Sequence, residues 1–228
     1  MGTSNQSSKH SKPKQYIQGW VEFYKLKFKV TPDVLIPRPE TELLVDEVIR
    51  FADHPLTILD IGTGCGNISI ALAKNLNGHP GGVRIIATDI SAKALAVAEQ
   101  NAKFHGVQDK IEFVQSDLLD GISGNIDIIV SNLPYIPSAR IPYLDSSVKD
   151  HEPLIALDGG PDGFDLYRKL FAQIKENHLN PGLLICEIDY THGQLAVNES
   201  QKYFPKAQIK VKHDLAKKQR ILIIKFTR

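Results

Sequence analysis

Short apolar runs alternate with amphipathic stretches along most of the chain, and this alternation is its dominant pattern. Helices are predicted after Gly66, over 92–104 and around 166–176. The apolar runs, which are typical of buried parallel strands, are residues 57–60, 85–89, 111–115, 126–131 and 183–187. Since alternating strands and helices form a parallel sheet covered by helices, the sequence predicts an α/β domain.

Two pairs of strands, one near each end of the chain, break the alternation. Residues 20–23 and 26–30 alternate apolar and polar side chains, which predicts a small β-hairpin. Residues 207–211 and 221–226 are separated by a polar turn that is too short for a crossover helix, so they should pair antiparallel. The full prediction is a mostly parallel seven-stranded sheet with an antiparallel last strand, preceded by the hairpin.

Residues 35–42, Leu-Ile-Pro-Arg-Pro-Glu-Thr-Glu, join the hairpin to the next helix. Their two prolines predict an extended loop. Thr41 is expected to cap a helix that runs through Leu44, Val45, Val48 and Ile49.

Composition narrows the class of protein. The chain has 228 residues, 42% of them hydrophobic, and a net charge of +1, which fits one substantial core and excludes a broadly polybasic nucleic-acid binder. Cys65 and Cys186 are far apart, and the histidines lack ligand spacing, so neither a disulfide nor a metal site is expected. A cytoplasmic location is expected because no apolar stretch reaches membrane-spanning length and the polar start lacks the apolar core of a signal peptide.

A glycine-rich turn, Asp60-Ile-Gly62-Thr63-Gly64-Cys65-Gly66, follows the first predicted parallel strand. Glycines there permit unusual backbone angles and the close approach of a ligand, although such a turn can be purely structural. A dinucleotide fingerprint would require its third glycine at Asn67. Asp89 ends the next strand, where its carboxylate can accept two hydrogen bonds from ribose hydroxyls or help Ser91 cap a helix. Cys65 is interpreted as a small apolar residue rather than a nucleophile.

The tetrapeptide Asn132-Leu133-Pro134-Tyr135 should lie at the carboxyl end of a buried strand, where open α/β sheets bind ligands. The Asn132 side chain offers a carbonyl acceptor, and Tyr135 offers a flat face on which an amide or a base can stack. This chemistry suits a planar nitrogen group. A strand that ends in a proline-stiffened turn is the simpler alternative.

The glycine turn resembles the first motif of class I methyltransferases that use S-adenosyl-L-methionine. The resemblance implies a Rossmann-like fold in which Asp60 orients the methionine end of the cofactor and Asp89 holds its ribose. Asp117 would lie near the adenine amine and Leu118 would pack on the ring. The implied cofactor-binding residues are Asp60, Gly62, Thr63, Gly64, Cys65, Gly66, Asp89, Asp117, Leu118 and Asn132.

The tetrapeptide resembles the Asn/Asp-Pro-Pro-Tyr motif of amide and amine methyltransferases, and the chain as a whole is similar to the HemK/PrmC family. That family methylates the glutamine of the Gly-Gly-Gln loop in peptide chain release factors. Further matching segments are residues 19–24, 35–44, 131–137, 152–163 and 167–168.

This resemblance implies a release factor as the protein partner and a catalytic site at the tetrapeptide. Asn132 Oδ1 and the Leu133 carbonyl would each accept one N–H of the substrate amide. Pro134 would hold the turn, and Tyr135 would pack on the amide. A monomer that requires neither a membrane nor a nucleic acid is expected. The implied organisation is a flexible polar tail, a hairpin with its connecting helix, and a catalytic domain, over residues 1–14, 15–53 and 54–228.

Several departures from the family pattern keep an alternative open. Leu133 stands where the family usually has proline, and Asn-Leu-Pro-Tyr also resembles the motif of ribosomal RNA adenine dimethyltransferases, so N6-methylation of adenine in RNA or DNA is the rival reading. Asp189 stands where the family's Glu-Ile-Gly has glycine, and residues 1–14 cannot encode the helical domain with which family members commonly begin. Two further hypotheses are that Glu40 or Thr41 helps to seat the cofactor or substrate, and that residues 158–163 form a flap.

Overall fold

The computed structural model describes residues 12–52 and 56–227 of the chain. Its helices are α1 (Lys14–Gln18), α2 (Glu42–Phe51), α3 (Asn67–Asn75), α4 (Ala92–Phe104), α5 (Ser146–Lys149), α6 (Asp165–Glu176) and α7 (Gly193–Tyr203). Its strands are β1 (Trp20–Phe23), β2 (Leu26–Lys29), β3 (Leu56–Ile61), β4 (Val83–Asp89), β5 (Ile111–Gln115), β6 (Ile128–Ser131), β7 (Leu183–Glu187), β8 (Gln208–His213) and β9 (Gln219–Lys225). Of the tail expected over residues 1–14, residues 1–11 lie outside the described residues.

The predicted sheet topology is confirmed. Strands β1 and β2 form the antiparallel hairpin, and the other seven form one sheet in the order β5-β4-β3-β6-β7-β9-β8. Strands β3 to β7 pair in parallel, and β9 runs antiparallel to both β7 and β8. Strand order reverses between β3 and β6, which is where doubly wound sheets open a crevice at the carboxyl ends of their strands.

Helices cover both faces of the sheet, and this explains why every residue of β6 and β7 is buried. On one face, Phe23 and Phe28 of the hairpin pack with α2, α3 and α4. On the other face, Tyr167 and Phe171 of α6 pack with Ala196 of α7. Burying each such large side chain stabilises the folded state by about 1.5–3 kcal/mol. The hairpin is part of the hydrophobic core because Phe23 and Phe28 are buried in it.

Several local features differ from the sequence-based expectations, and helices α1 and α5 are among those that were not predicted. Strand β6 begins at Ile128, two residues later than expected, and helix α7 was not predicted. The prediction that Thr41 caps α2 is wrong. Thr41 ends a 3-10 turn, Pro39–Thr41, and its side chain makes no capping hydrogen bond because its hydroxyl points to other partners.

No helix among the described residues has both the length and the apolar character that are needed to cross a membrane.

Candidate active site

A cleft lies at the carboxyl ends of the parallel strands, at the point where the strand order reverses. It contains about 1040 Å³ of empty space, a volume that includes open solvent. The predicted site residues that line it are Gly62, Thr63, Gly64, Asp89, Asp117, Leu118, Asn132, Leu133 and Pro134. Asp60, Cys65, Gly66 and Tyr135 do not line it, although each is adjacent in sequence to a residue that does.

The glycine turn is built from left-handed backbone that favours glycine. Gly62, Gly64 and Gly66 have φ angles of +73°, +57° and +82°. A Cβ on Gly64 would meet nothing within 4 Å, so this residue leaves space beside the cleft. A Cβ on Gly66 would approach the Ala98 Cβ at 3.1 Å, so Gly66 instead allows α3 and α4 to pack closely. The turn therefore serves both ligand access and helix packing.

Asp60 lies beneath the glycine turn and is completely buried. Its Oδ2 accepts hydrogen bonds from the Thr63 hydroxyl at 2.7 Å and from the Ser69 hydroxyl at 2.6 Å. Its Oδ1 is buried and has no hydrogen-bond partner among the described residues. Burial raises the pKa of Asp60 to about 6. The turn is therefore tied to a carboxylate that retains one free acceptor oxygen.

Asp89 presents a fixed carboxylate to the cleft. Its Oδ2 accepts the Gly64 main-chain N–H at 2.9 Å, and its Oδ1 accepts the Ser91 main-chain N–H at 2.9 Å. The Ser91 hydroxyl caps α4 by accepting the Ala94 N–H at 3.2 Å, so the capping role belongs to Ser91. Burial raises the pKa of Asp89. Each carboxylate oxygen retains a lone pair, which suits a pair of adjacent hydroxyl donors.

Asp117 and Leu118 form the far wall of the cleft. The Asp117 carboxylate pairs with Lys169 Nζ at 2.5 Å. Leu118 is buried and has a φ angle of +56°, which is unusual for a residue other than glycine. The Ser116 hydroxyl donates to the Leu118 carbonyl at 3.1 Å and thereby stabilises this turn. An apolar face and a carboxylate thus stand together where the resemblance places an adenine ring.

Cys65 is not a nucleophile. Its thiol is buried and donates a weak hydrogen bond to Asn67 Oδ1 at 3.6 Å. Burial raises the pKa of this thiol to about 12, so the thiolate is not populated near neutral pH. Its role in the turn is that of a small apolar residue.

Asn132 is half-buried at the carboxyl end of β6 and lines the cleft. Its Nδ2 donates a hydrogen bond to the Thr41 hydroxyl oxygen at 3.1 Å. One N–H of the amide is engaged there, and Oδ1 accepts no hydrogen bond among the described residues, so Oδ1 is available as an acceptor. The side chain can therefore accept an N–H from a ligand in the cleft.

The core accommodates leucine at position 133, where the family usually has proline. Its side chain is buried, and its Cδ2 atom lies 3.2 Å from the position of a Cβ on Gly62, so it fills the space behind the glycine turn. Its main-chain N–H, which proline lacks, donates to the Tyr167 hydroxyl at 3.2 Å. The substitution leaves the tetrapeptide backbone anchored.

Glu187, at the end of β7, is the residue that sequence reasoning missed. It is 1% exposed, and its Oε2 accepts the Thr41 hydroxyl at 2.7 Å while its Oε1 accepts the Tyr135 hydroxyl at 2.9 Å. Its main-chain carbonyl accepts the Tyr167 hydroxyl. Burial raises the pKa of this carboxyl. An acidic residue that ends an apolar strand, as Asp60 and Asp89 do, was the available signal.

The sequence suggested that Glu40 or Thr41 helps to seat the cofactor or substrate. Thr41 lines the cleft, and Glu40 is exposed and does not. Arg38, in the same loop, pairs with the buried Glu152 at 2.5 Å. This ion pair ties the loop to the segment that carries Glu152. The loop therefore closes one side of the site.

Residues 158–163 support the tetrapeptide directly rather than hanging over it as a flap. The main chain at Ile136 forms a parallel bridge with Asp158. A Cβ on Gly159 would lie 2.7 Å from the Pro134 carbonyl oxygen, and one on Gly163 would lie 2.3 Å from the Tyr135 carbonyl oxygen. Both glycines are required by the close approach of two backbones.

The chain matches the family model described as a methyltransferase domain over residues 52–221. The release factor glutamine methyltransferase of Lactococcus lactis subsp. lactis is 40% identical over 216 residues, which cover 94% of this chain and 78% of that protein. That of Moorella thermoacetica is 44% identical over 185 residues, which cover 80% of this chain and 64% of that protein.

Solved structures show the same fold. The catalytic domain of human Mettl16, in complex with the MAT2A 3′UTR hairpin 6, superposes with a TM-score of 0.71 at 18% sequence identity, covering 90% of this chain and 77% of that one. A likeness at that identity concerns the class I methyltransferase fold alone. The family follows from the sequence relatives: the chain belongs to the release factor glutamine methyltransferases.

Proposed function

We propose that this chain transfers a methyl group from S-adenosyl-L-methionine to the side-chain amide nitrogen of the glutamine in the Gly-Gly-Gln motif of a peptide chain release factor. The observation that carries the proposal is the orientation of Asn132, whose Nδ2 is engaged by Thr41 while its Oδ1 is free to accept an amide N–H. The relatives that bear this name support the choice of substrate.

The lining of the cleft supports binding of the methyl donor there. Gly64 leaves room beside the turn, the Asp89 carboxylate would accept the two ribose hydroxyls, and the apolar Leu118 with Asp117 would hold the adenine. Asp60 acts from below by fixing the turn through Thr63. When bound, S-adenosyl-L-methionine supplies an electrophilic methyl group on a sulfonium that is an excellent leaving group.

The protein's task is to position a weak nucleophile. An amide nitrogen delocalises its lone pair into the carbonyl, so catalysis depends on holding it in line with the methyl group. Asn132 Oδ1 and the Leu133 carbonyl would each accept one of its N–H groups. Tyr135, which does not line the cleft, would hold the end of the tetrapeptide through its hydrogen bond to Glu187. A bound carboxylate would leave these acceptors unpaired at about 1–3 kcal/mol each, which selects glutamine over glutamate. The nitrogen becomes acidic as it is alkylated, so no dedicated base is needed.

N6-methylation of adenine is not favoured. The sequence relatives are named for glutamine methylation, and two basic side chains that a nucleic acid could use make contacts within the protein. Lys27 lies 4.3 Å from the centre of the Trp20 ring, and Arg220 pairs with Asp214 at 3.3 Å. We further propose that the chain acts in the cytoplasm as a monomer.

Transfer of labelled methyl groups tests the proposal. The chain is supplied with labelled S-adenosyl-L-methionine and, separately, with a release factor, its Gln→Ala loop variant and total RNA. Label is expected on the wild-type release factor and on neither of the others. Label that persists on the Ala variant, or that appears only on RNA, would refute glutamine methylation.

A further inference from the structure

The buried Glu187 carboxylate organises a chain of hydrogen bonds that reaches the cleft. Thr41 and Tyr135 both donate hydroxyl protons to it, at 2.7 Å and 2.9 Å. Asn132 Nδ2 then donates to the Thr41 hydroxyl oxygen at 3.1 Å. The parallel register pairs Ser131 with Cys186, so the residues that follow them, Asn132 and Glu187, leave neighbouring strands side by side.

The Glu187 carboxyl sets the direction of the bonds in this chain. Each of its oxygens accepts one hydroxyl, Oε1 from Tyr135 and Oε2 from Thr41, so the single hydroxyl proton of Thr41 points towards Glu187. The Thr41 hydroxyl oxygen then presents a lone pair to Asn132, so the Asn132 amide must donate an N–H to it. Asn132 therefore turns its NH₂ group towards Thr41 and its Oδ1 away from it.

The free-energy cost of burying the Glu187 carboxylate indicates that this residue does more than fill space in the core. Glu187 and Thr41 are each 1% exposed, and within the described ranges Glu187 forms no direct salt bridge, the charge of Arg220 acting on it only from a distance. Burying a carboxylate without a paired cation is expensive, and an apolar residue of similar size would pack at lower cost. The carboxylate supplies what an apolar residue could not, which is a fixed polarity at Asn132.

We propose that Thr41 and Glu187 are positioning residues that lock the Asn132 amide with Oδ1 facing the substrate and thereby make the enzyme select an amide over a carboxylate. This inference rests on the proposed function. Without the lock, the amide can rotate by half a turn and offer N–H donors to the cleft. Those donors suit a glutamate side chain and repel a glutamine N–H.

The test uses three variants and one control. Thr41→Val removes the hydroxyl at nearly constant volume, Thr41→Ser retains it, and Glu187→Gln can either donate or accept. Ser200→Ala is the control, since it removes a buried hydroxyl that has no hydrogen-bond partner among the described residues and lies in α7, away from the cleft. Each protein is first shown to be folded by its melting temperature.

Two kinetic quantities are measured with a release factor as substrate: kcat and KM for the wild-type loop, and inhibition by the Gln→Glu loop variant. Thr41→Val and Glu187→Gln should lower kcat by about tenfold and strengthen inhibition by the Glu loop by about tenfold, as expected for one misdirected buried hydrogen bond. Thr41→Ser and Ser200→Ala should match the wild type. If Thr41→Val keeps the wild-type kcat and discrimination while the wild type is active, the lock is refuted.

A readout without substrate separates this inference from the proposed function. The side-chain amide protons of Asn132 should exchange with solvent about tenfold faster in Thr41→Val than in the wild type or Thr41→Ser, measured by NMR. Unchanged exchange would overturn the lock even if the enzyme methylates release factors. An inactive wild type with the expected change in exchange would refute the function and leave the lock intact.

Discussion

At the scale of single residues, buried carboxylates hold the loops of this site in place by accepting hydrogen bonds from hydroxyl groups. Asp60 and Glu187 are both buried carboxylates near the ends of strands, and each holds hydroxyl donors that belong to a loop of the cleft. Thr63 links Asp60 to the glycine turn, and Thr41 links Glu187 to Asn132. The same device, a buried acid and a threonine hydroxyl, fixes both halves of the site.

The raised pKa of Asp60 predicts a pH-dependent stability that Asp60→Asn removes. The folded state binds a proton at about pH 6, whereas the unfolded carboxyl binds one near 3.8. Protonation therefore favours the folded state, and this contribution is present below pH 3.8 and is lost as the pH rises through about 6. Relative to the Asn variant, the wild type should lose about 3 kcal/mol of unfolding free energy over that range.

Urea unfolding of both proteins at a series of pH values checks this prediction. Other titrating groups are common to the two chains and cancel in the difference. A difference in unfolding free energy that does not change with pH would show that Asp60 stays ionised when buried.

Site residues that belong to a local motif could be predicted from the sequence. Asn132, Asp89 and Gly64 follow strands, and all three line the cleft. The partnership of Thr41 with Glu187 could not be predicted, because it joins positions 146 residues apart whose contact depends on how α2 meets the sheet. The sequence of the 35–42 loop suggested instead a helix cap at Thr41, the usual role of threonine before a helix.

At the scale of elements, the segment over residues 158–163 is as important to the site as the strand that carries Asn132. Its main chain runs against the end of the tetrapeptide and the residue after it, and Gly159 N donates to the Ile136 carbonyl at 2.9 Å. A residue with a side chain at position 159 would push the two backbones apart.

Gly159→Ala should therefore impair turnover while the protein remains folded. The added Cβ would lie 2.7 Å from the Pro134 carbonyl oxygen and 2.8 Å from the Tyr135 Cα, and backbone atoms cannot move aside cheaply. Unfolding free energy should fall by about 1–3 kcal/mol and kcat by at least about tenfold. Steady-state kinetics and urea unfolding measure the two effects.

Gly78→Ala is the matched control for this variant. Gly78 has a φ angle of +83° and open space around its Cβ position, so alanine there adds backbone strain without touching the site. It should lower stability and leave kcat unchanged. Wild-type turnover in Gly159→Ala would mean that the tetrapeptide does not depend on this support.

Elements with a clear apolar period were predicted, and α7 shows what escapes such a pattern. The residues that α7 buries are Gly193, Ala196, Glu199 and Ser200. Their spacing is helical, but two are small and two are polar, so no large apolar side chain marks the buried face of this helix. By contrast, the bounds of α4 agree with the predicted range of 92–104, since Ser91 caps it and Ala94, Val97 and Ala98 form its buried face.

At the scale of the whole molecule, the sheet brings together segments that are distant in sequence. The ends of β3, β4, β6 and β7 meet the loop before α2 at one edge, where Asp60 and Asp89 form the proposed cofactor side and Asn132 and Glu187 the proposed acceptor side. The hairpin belongs to the same core, which places the loop that carries Thr41. Cofactor and acceptor sites thus share one rigid edge.

Mapping the transferred methyl group on an intact release factor tests the central claim most directly. The wild-type chain and Asn132→Ala are each incubated with S-adenosyl-L-methionine and release factor, and the modified residue is located by peptide mass spectrometry. The wild type should place one methyl group on the side-chain nitrogen of the Gly-Gly-Gln glutamine, and Asn132→Ala should place almost none while its cofactor affinity falls much less. A methyl group at any other residue, or equal losses of transfer and cofactor affinity in the variant, would contradict the account.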